Sequence, residues 1–215
     1  MHTVNQLIHD LQCLGLSGGD TVMVHSSYKS LGGIEDGAAG VFRAFDEVLS
    51  EDGTLMLPGF SYDTVTYENP VFDRQKTPVC VSYLPEYFRT QVPGVIRSMH
   101  ATHSCLLKGK RAEEMIRGHE LDLTPVGSNS PLRKLPGLDG KILFLGCSPD
   151  HNTLCHGVEE TAEPPYLLDH ERMIHYTLRD GETVIEQTAL HHSFQKDGWF
   201  YEQRLFPDHF LPDCG

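Results

Sequence analysis

The stretch from Val22 to Gly33, VMVHSSYKSLGG, limits what this chain can become more than any other. An apolar run of Val22, Met23 and Val24 follows the turn residues Ser17-Gly18-Gly19-Asp20, as a strand follows a break. The text then turns small and polar through His25, Ser26, Ser27, Tyr28, Lys29 and Ser30, and ends in Gly32-Gly33. A helical pattern runs on from about Glu35 to Leu49. Strand, small-residue turn and helix start together make a natural anion site, because free N–H groups and the helix dipole favour phosphate there. Lys29 adds a positive charge. Neither Gly-x4-Gly-Lys-Ser/Thr nor Gly-x-Gly-x-x-Gly is present, so the stretch reads as an anion-binding turn of another kind or as an ordinary strand–helix connection.

The opening segment, MHTVNQLIHDLQCLGL, spaces Val4, Leu7, Ile8, Leu11 and Leu14 as an amphipathic helix. It has neither a basic start nor an apolar signal core, so a cytoplasmic location is expected. Thr54-Leu55-Met56-Leu57-Pro58 is a short apolar strand of the kind buried on both faces of a parallel sheet. Helix, strand, helix, strand is an α/β beginning. The chain's 215 residues allow one large domain with a sizeable core, and 39% hydrophobic against 22% charged residues marks a globular chain. No apolar run of about 18 residues is present, so no membrane span is expected.

Charge narrows the partners. A net charge of −13 argues against nucleic acid, which needs a basic footprint, and suits a cationic substrate. Six cysteines, Cys13, Cys80, Cys105, Cys147, Cys155 and Cys214, stand without a Cys-x-x-Cys pair and read as free thiols. The irregular segment 59–78 is long for a loop inside a compact domain, which marks a functional excursion or a solvated one. It carries Tyr62, Asp63, Tyr67, Glu68, Asp73 and Arg74, a lining suited to a polar cation. Tyr83 to Thr90 reads as a short helix, Val95 to Ser98 as a brief strand, and Lys110 to His119 as an amphipathic helix. His100 and His103 precede an apolar run and read as polar loop residues, or as a metal pair three apart. The loop 124–131 is rich in hydroxyls and is a second candidate to face phosphate.

Lys141 to Gly146, KILFLG, reads as the strongest buried strand. Ligands of open α/β sheets bind beyond the carboxyl ends of strands, and Thr153, His156, Glu159 and Glu160 stand past this one. On a helix, His156, Glu159 and Glu160 share one face. A histidine with a carboxylate partner is an oriented general base, and His-x-x-Glu is also a partial metal set. Residues 173–178 and 182–186 flank Arg179-Asp180-Gly181 as an antiparallel hairpin.

The fragments HSSYKSLGG, GTLMLPGF, PGVIRSMHATHSCLLKG, GSNSPLRKL, GKILFLGC and NTLCHGVEE, in this order and spacing, resemble the aminoglycoside 3-N-acetyltransferase family over residues 5 to 205. The resemblance implies an α/β three-layer sandwich: a central mixed sheet covered by helices, with the antiparallel hairpin added near the C-terminal end. It implies acetyl-coenzyme A (acetyl-CoA) as donor, a polycationic amine as acceptor, and no metal. It implies coenzyme contacts at Ser26, Ser27, Lys29, Ser30, Leu31, Gly32, Arg97, Ser98 and Ser104. Catalysis falls to His156 and Glu159, with Thr153 or backbone N–H groups near Ser27 to Gly32 for the oxyanion. Asp63, Tyr67, Asp73, His103 and Glu160 are expected at the acceptor. Residues 1–215 then form one acetyltransferase domain, short of a helical segment with which the longer family members continue, and a homodimer stays open. An acceptor other than an aminoglycoside, such as an amino sugar, suits the same chemistry. Two other readings stand beside it. One is a metal-dependent hydrolase using His156, Glu159 and one of His100, His103, His191 or His192. The other is a non-catalytic coenzyme A or nucleotide binder.

Overall fold

Helix α1 (Val4–Cys13) starts where Thr3 caps it. The Thr3 hydroxyl accepts the Gln6 N–H at 3.1 Å, while the Gln6 side chain accepts the Thr3 N–H at 2.9 Å. Two of the N–H groups that a helix start leaves open are thus satisfied. Its buried face, Leu7 and Leu11, packs toward α2 (Gly37–Leu49). The structure is a computed structural model that describes residues 1–192.

Five strands form the central sheet. β1 (Thr21–Ser26) lies parallel to β2 (Thr54–Pro58), while β3 (Val71–Asp73) belongs elsewhere. β4 (Ile96–Arg97) and β5 (Cys105–Gly109) extend the sheet antiparallel beyond β2, and β6 (Lys141–Leu145) pairs parallel with β1. The order is β4-β5-β2-β1-β6, a mixed sheet. Alternation along the strands divides the core. Val22, Val24, Leu55, Leu57 and Leu106 pack with α1, α2 and Leu84 and Phe88 of α3 (Tyr83–Gln91). Met23, Met56, Cys105 and Leu107 face the other way, onto Ala112 and Met115 of α4 (Ala112–Ile116) and Leu132 of α5 (Pro131–Lys134). Helices therefore cover both faces, as a three-layer sandwich requires. Helix α6 (Leu154–Ala162) is tied to α5 by Arg133, which donates to Gly157 O and to Thr161 Oγ1, the latter at 2.6 Å.

The expected hairpin is present as β7 (Ile174–Asp180) and β8 (Thr183–Ala189), antiparallel, with Gly181 at φ 60° in the turn. It forms a second sheet, because β3 pairs parallel with β7. That pairing draws segment 59–78 onto the hairpin around Phe72, Tyr176 and Leu178, all fully buried.

Two local expectations are corrected. KILFL is the sheet's edge strand, and Lys141 to Phe144 are only half-buried, since β1 pairs with it on one side alone. The helix expected over Lys110 to His119 is the single turn and a half of α4. The extended Arg117 ends it, Gly118 at φ 80° turns the chain, and His119 enters the core, where its Nδ1 lies 2.8 Å from Ser98 Oγ. Cys214 and the Asp197-Gly198-Trp199-Phe200 segment lie outside the described residues.

Candidate active site

The carboxyl ends of β1 and β6 carry two neighbouring turns. After β1, residues Tyr28–Leu31 form a tight 3-10 turn closed by Gly32 at φ 71°, a left-handed conformation that glycine adopts without strain. Ser27 Oγ and Ser30 Oγ lie 2.9 Å apart. Lys29, Ser30 and Gly32 are exposed, while Ser26, Ser27 and Leu31 are half-buried. Lys29 forms no ion pair among the described residues. Two hydroxyls and a lysine on an exposed turn are a donor set that fits a phosphate-bearing group. The Ser27 and Ser30 N–H groups are spent on Leu145 O and Ser27 O, so they do not serve as oxyanion donors.

After β6 comes α6, with Thr153 at its N-cap. The Thr153 hydroxyl makes no capping bond, so it is available to a ligand. One turn on, His156 Nδ1 lies 2.6 Å from Glu159 Oε2. A carboxylate only accepts, so the imidazole carries a hydrogen on Nδ1. Tyr166 Oη donates to the other Glu159 oxygen at 3.4 Å. The two side chains are 27% and 23% exposed, which leaves the dyad reachable by a ligand.

Around this dyad the protein gathers imidazoles. His192 meets His156 edge-on with ring centroids 5.1 Å apart, and His103 meets His192 at 5.3 Å. His100 stacks on His119 at 4.9 Å. Burial holds His103 and His119 well below the ordinary histidine pKa and takes His100 down to about 4. Burial also lowers His192, although Glu160 opposes the effect. Among the described residues, no three His, Cys, Asp or Glu side chains are placed to hold a metal ion.

Beside His192 opens a cavity of about 280 Å³ lined by Tyr62, Thr66, Tyr67, Glu68, Asp169 and Arg172, with Ile174 and His191. It is formed because the β3–β7 pairing sets the 59–78 loop against residues 169–174. Arg172 lies 4.3 Å over the Tyr67 ring. Ile174 belongs to the expected strand 173–178, but Asp169 and Arg172 carry no motif: their signal is a turn, the Arg172 N–H to Asp169 O bond, which no periodicity announces.

Several of the expected contact residues are engaged within the protein. Arg97 is 3% exposed and gives its hydrogens to Gly59 O, Thr77 O and Ser104 Oγ, all within the protein. Ser98 Oγ accepts the Cys105 N–H and bonds His119 Nδ1, and Ser104 Oγ donates to Gly59 O. The bonds found for these three hold the frame. Asp73 closes its own turn, accepting from the Gln75 and Lys76 N–H groups. Asp63 is exposed outside the cavity lining, whereas Tyr67 is in it. Glu160 turns inward and bonds His192 Nε2 at 2.7 Å, and His103 is buried against Phe60 and Tyr62.

A sequence model described as aminoglycoside 3-N-acetyltransferase matches residues 23–205. The chain belongs to the aminoglycoside 3-N-acetyltransferase family. It is 32% identical to aminoglycoside N(3)-acetyltransferase VII of Streptomyces paromomycinus, over 96% of this chain and 76% of that one. A solved structure of AAC-IIIb, binary with CoASH, superposes with a TM-score of 0.76 at 28% identity, covering 88% of this chain and 75% of that one. A histidine-to-alanine variant of the aminoglycoside acetyltransferase AAC(3)-IVa, in complex with a gentamicin, superposes with a TM-score of 0.72 at 30% identity, covering 88% and 70%. Family membership makes the chain an acyltransferase and decides against the hydrolase and passive-binder readings.

Proposed function

We propose that this chain moves the acetyl group of acetyl-CoA to the 3-amino group of an aminoglycoside, with His156 as general base. The observation that carries the reading is the 2.6 Å His156–Glu159 contact on a reachable helix face beyond the sheet's carboxyl edge. The relatives named above, one solved with CoASH and one with a gentamicin, support the donor and acceptor classes.

An ammonium has no lone pair and cannot attack a carbonyl. His156 Nε2 takes its proton, and the Nδ1–H bond to Glu159 steadies the imidazolium that results. The freed amine attacks the thioester carbonyl, forming the C–N bond. The Thr153 hydroxyl donates to the oxygen that gains charge, a kind of contact worth about 2.7–4 kcal/mol. The C–S bond then breaks, the thiolate takes the proton that His156 holds, and the new amide nitrogen releases its second proton to water. Ser27, Lys29 and Ser30 hold the phosphate end of the coenzyme, with Ser26, Leu31 and Gly32 completing the turn. Glu68 and Asp169 of the cavity take the acceptor's other ammonium groups, with Tyr67 beneath them. Five thiols free among the described residues suit a reducing cytoplasm.

A second acceptor class has its own support. The Arg172 guanidinium over Tyr67 puts a positive charge inside the cavity, which favours an acceptor with fewer ammonium groups, such as an amino sugar. Thiol release from acetyl-CoA, measured against a panel of aminoglycosides and simple amino sugars, tests both. Release with aminoglycosides supports the first reading, and release with amino sugars alone supports the second. No release with any amine overturns both.

A further inference from the structure

Helix α6 carries two adjacent acids, and each takes a different histidine. Glu159 holds His156 from its own helix, one turn back. Glu160 reaches the other way. Its Oε1 accepts the Val126 N–H at 2.9 Å and lies 2.7 Å from His192 Nε2. The Glu160 side chain is 5% exposed and that of His192 2% exposed. A buried carboxylate is costly unless it is hydrogen-bonded, so this one is fixed by its two donors. It also fixes the imidazole tautomer, because only a ring with hydrogen on Nε2 can donate to it.

The His192 ring so held does not face solvent. It stands between two other imidazoles, edge-on to His156 at 5.1 Å and to His103 at 5.3 Å. His103 is itself anchored, with its Nδ1 2.9 Å from Thr102 Oγ1. On this side His156 therefore rests against a ring whose position is set by a buried bond from the neighbouring residue of its own partner. Three separate segments meet at Glu160: the 124–131 loop, α6 and the end of the hairpin sheet. A hydroxyl-rich loop that reads in sequence as a second phosphate face thus spends the Val126 N–H on the interior instead.

We propose that Glu160 and His192 are positioning residues for His156: the buried pair wedges the His192 ring against His156 and keeps its Nδ1 aimed at Glu159. This rests on His156 being the base. It assigns Glu160 a task different from gripping a substrate ammonium, which its burial excludes. Replacing the acid with an uncharged acceptor preserves the wedge, and removing the acceptor releases it.

The test needs a readout that does not depend on turnover. A 2.6 Å N–H···O contact to a carboxylate gives a far-downfield proton resonance, assigned to His156 by its loss in His156→Ala. Glu160→Leu is expected to broaden or shift that resonance, while Glu160→Gln, which still accepts from Val126 and His192, leaves it in place. Should Glu160→Leu fail to fold, His192→Ala removes the same wedge. An unchanged resonance in whichever of these two variants folds overturns the proposal. In the active enzyme, Glu160→Leu is expected to lower kcat about tenfold with the coenzyme KM unchanged, and to add nothing to His156→Ala. A loss that multiplies with that of His156→Ala means Glu160 does not act through His156. Failure of the proposed function looks different: no thiol release from the wild-type protein, with the resonance and its response to Glu160→Leu intact.

Discussion

Glu159 Oε2 lies 2.6 Å from His156 Nδ1, and that contact sets what single substitutions should do. On the role proposed for it, His156→Ala should lower kcat by at least about a hundredfold, with coenzyme binding within about twofold of wild type. Steady-state rates beside a coenzyme binding isotherm measure both, and a collapse of binding would make His156 a structural residue. Arg97 makes the opposite case. It stands beside Ser98 and shortly before His100, in a text that resembles a coenzyme contact, yet it lies within hydrogen-bond reach of Gly59 O, Thr77 O and Ser104 Oγ and sits 4.7 Å from the Phe72 ring. Burial pulls its pKa down to about 9. Arg97→Ala strands several acceptors and should cost on the order of 3 kcal/mol of stability. Thermal melting and coenzyme KM together decide its role: a lower melting temperature with unchanged KM fits the frame, and a raised KM with unchanged melting restores the coenzyme contact.

Between elements, Gly146 is the informative position. It follows β6 at φ 72°, directly under the turn that follows β1. A Cβ there would lie 2.8 Å from Ser27 O and 3.0 Å from Leu31 Cδ2. Gly146→Ala should therefore push the Ser27–Leu31 turn outward, with a stability loss of about 1–2 kcal/mol. The coenzyme KM should rise several-fold while the acceptor KM barely moves, and equal shifts in both would unseat the turn as the coenzyme site. Elements of this size were legible before any coordinates. Val22-Met23-Val24 and Leu55-Met56-Leu57 announce themselves as unbroken apolar runs and the Asp180-Gly181 hairpin through its turn chemistry, signals that are all local. KILFL misled because an apolar run does not say whether one neighbour strand or two will pair with it. His156 and Glu159 were legible because three residues on a helix is a contact. Glu160–His192 was not, because His192 returns to α6 only after the whole hairpin, through its bridge to Leu168, and Asp169 and Arg172 were not, because the parallel β3–β7 pairing that sets the 59–78 loop against them joins residues about a hundred apart.

Across the whole molecule, the buried histidines imply an acid sensitivity with a definite sign. His25, stacked on Phe144, has its pKa lowered to about 4 by burial, with His151 adding to the effect. His100 also falls to about 4, and His103, His119 and His192 are lowered too. The unfolded chain protonates these five histidines near pH 6.5, whereas in the folded one His25 and His100 resist until about pH 4 and His103, His119 and His192 are also lowered, so below about pH 6.5 the unfolded state holds more protons. Stability on this account is full above about pH 6.5 and falls as the pH drops below it, the share of His25 and His100 being lost by about pH 4. A shift of this size has a ceiling on the order of 3 kcal/mol for each fully buried ring. Asp122, raised by burial, opposes the trend weakly, and Asp20 and Glu86, both lowered, add to it only in stronger acid. Urea denaturation at about pH 7.5, 6 and 5 should show the unfolding free energy dropping by several kcal/mol, with more than one proton taken up on unfolding. His100→Gln keeps an acceptor for the Thr102 and His103 N–H groups and should flatten the slope by close to one proton. A free energy that stays level from pH 7.5 to 5 would mean that these imidazoles open to water together, and that the histidine cluster around His156 is a wet cleft instead of a packed wall.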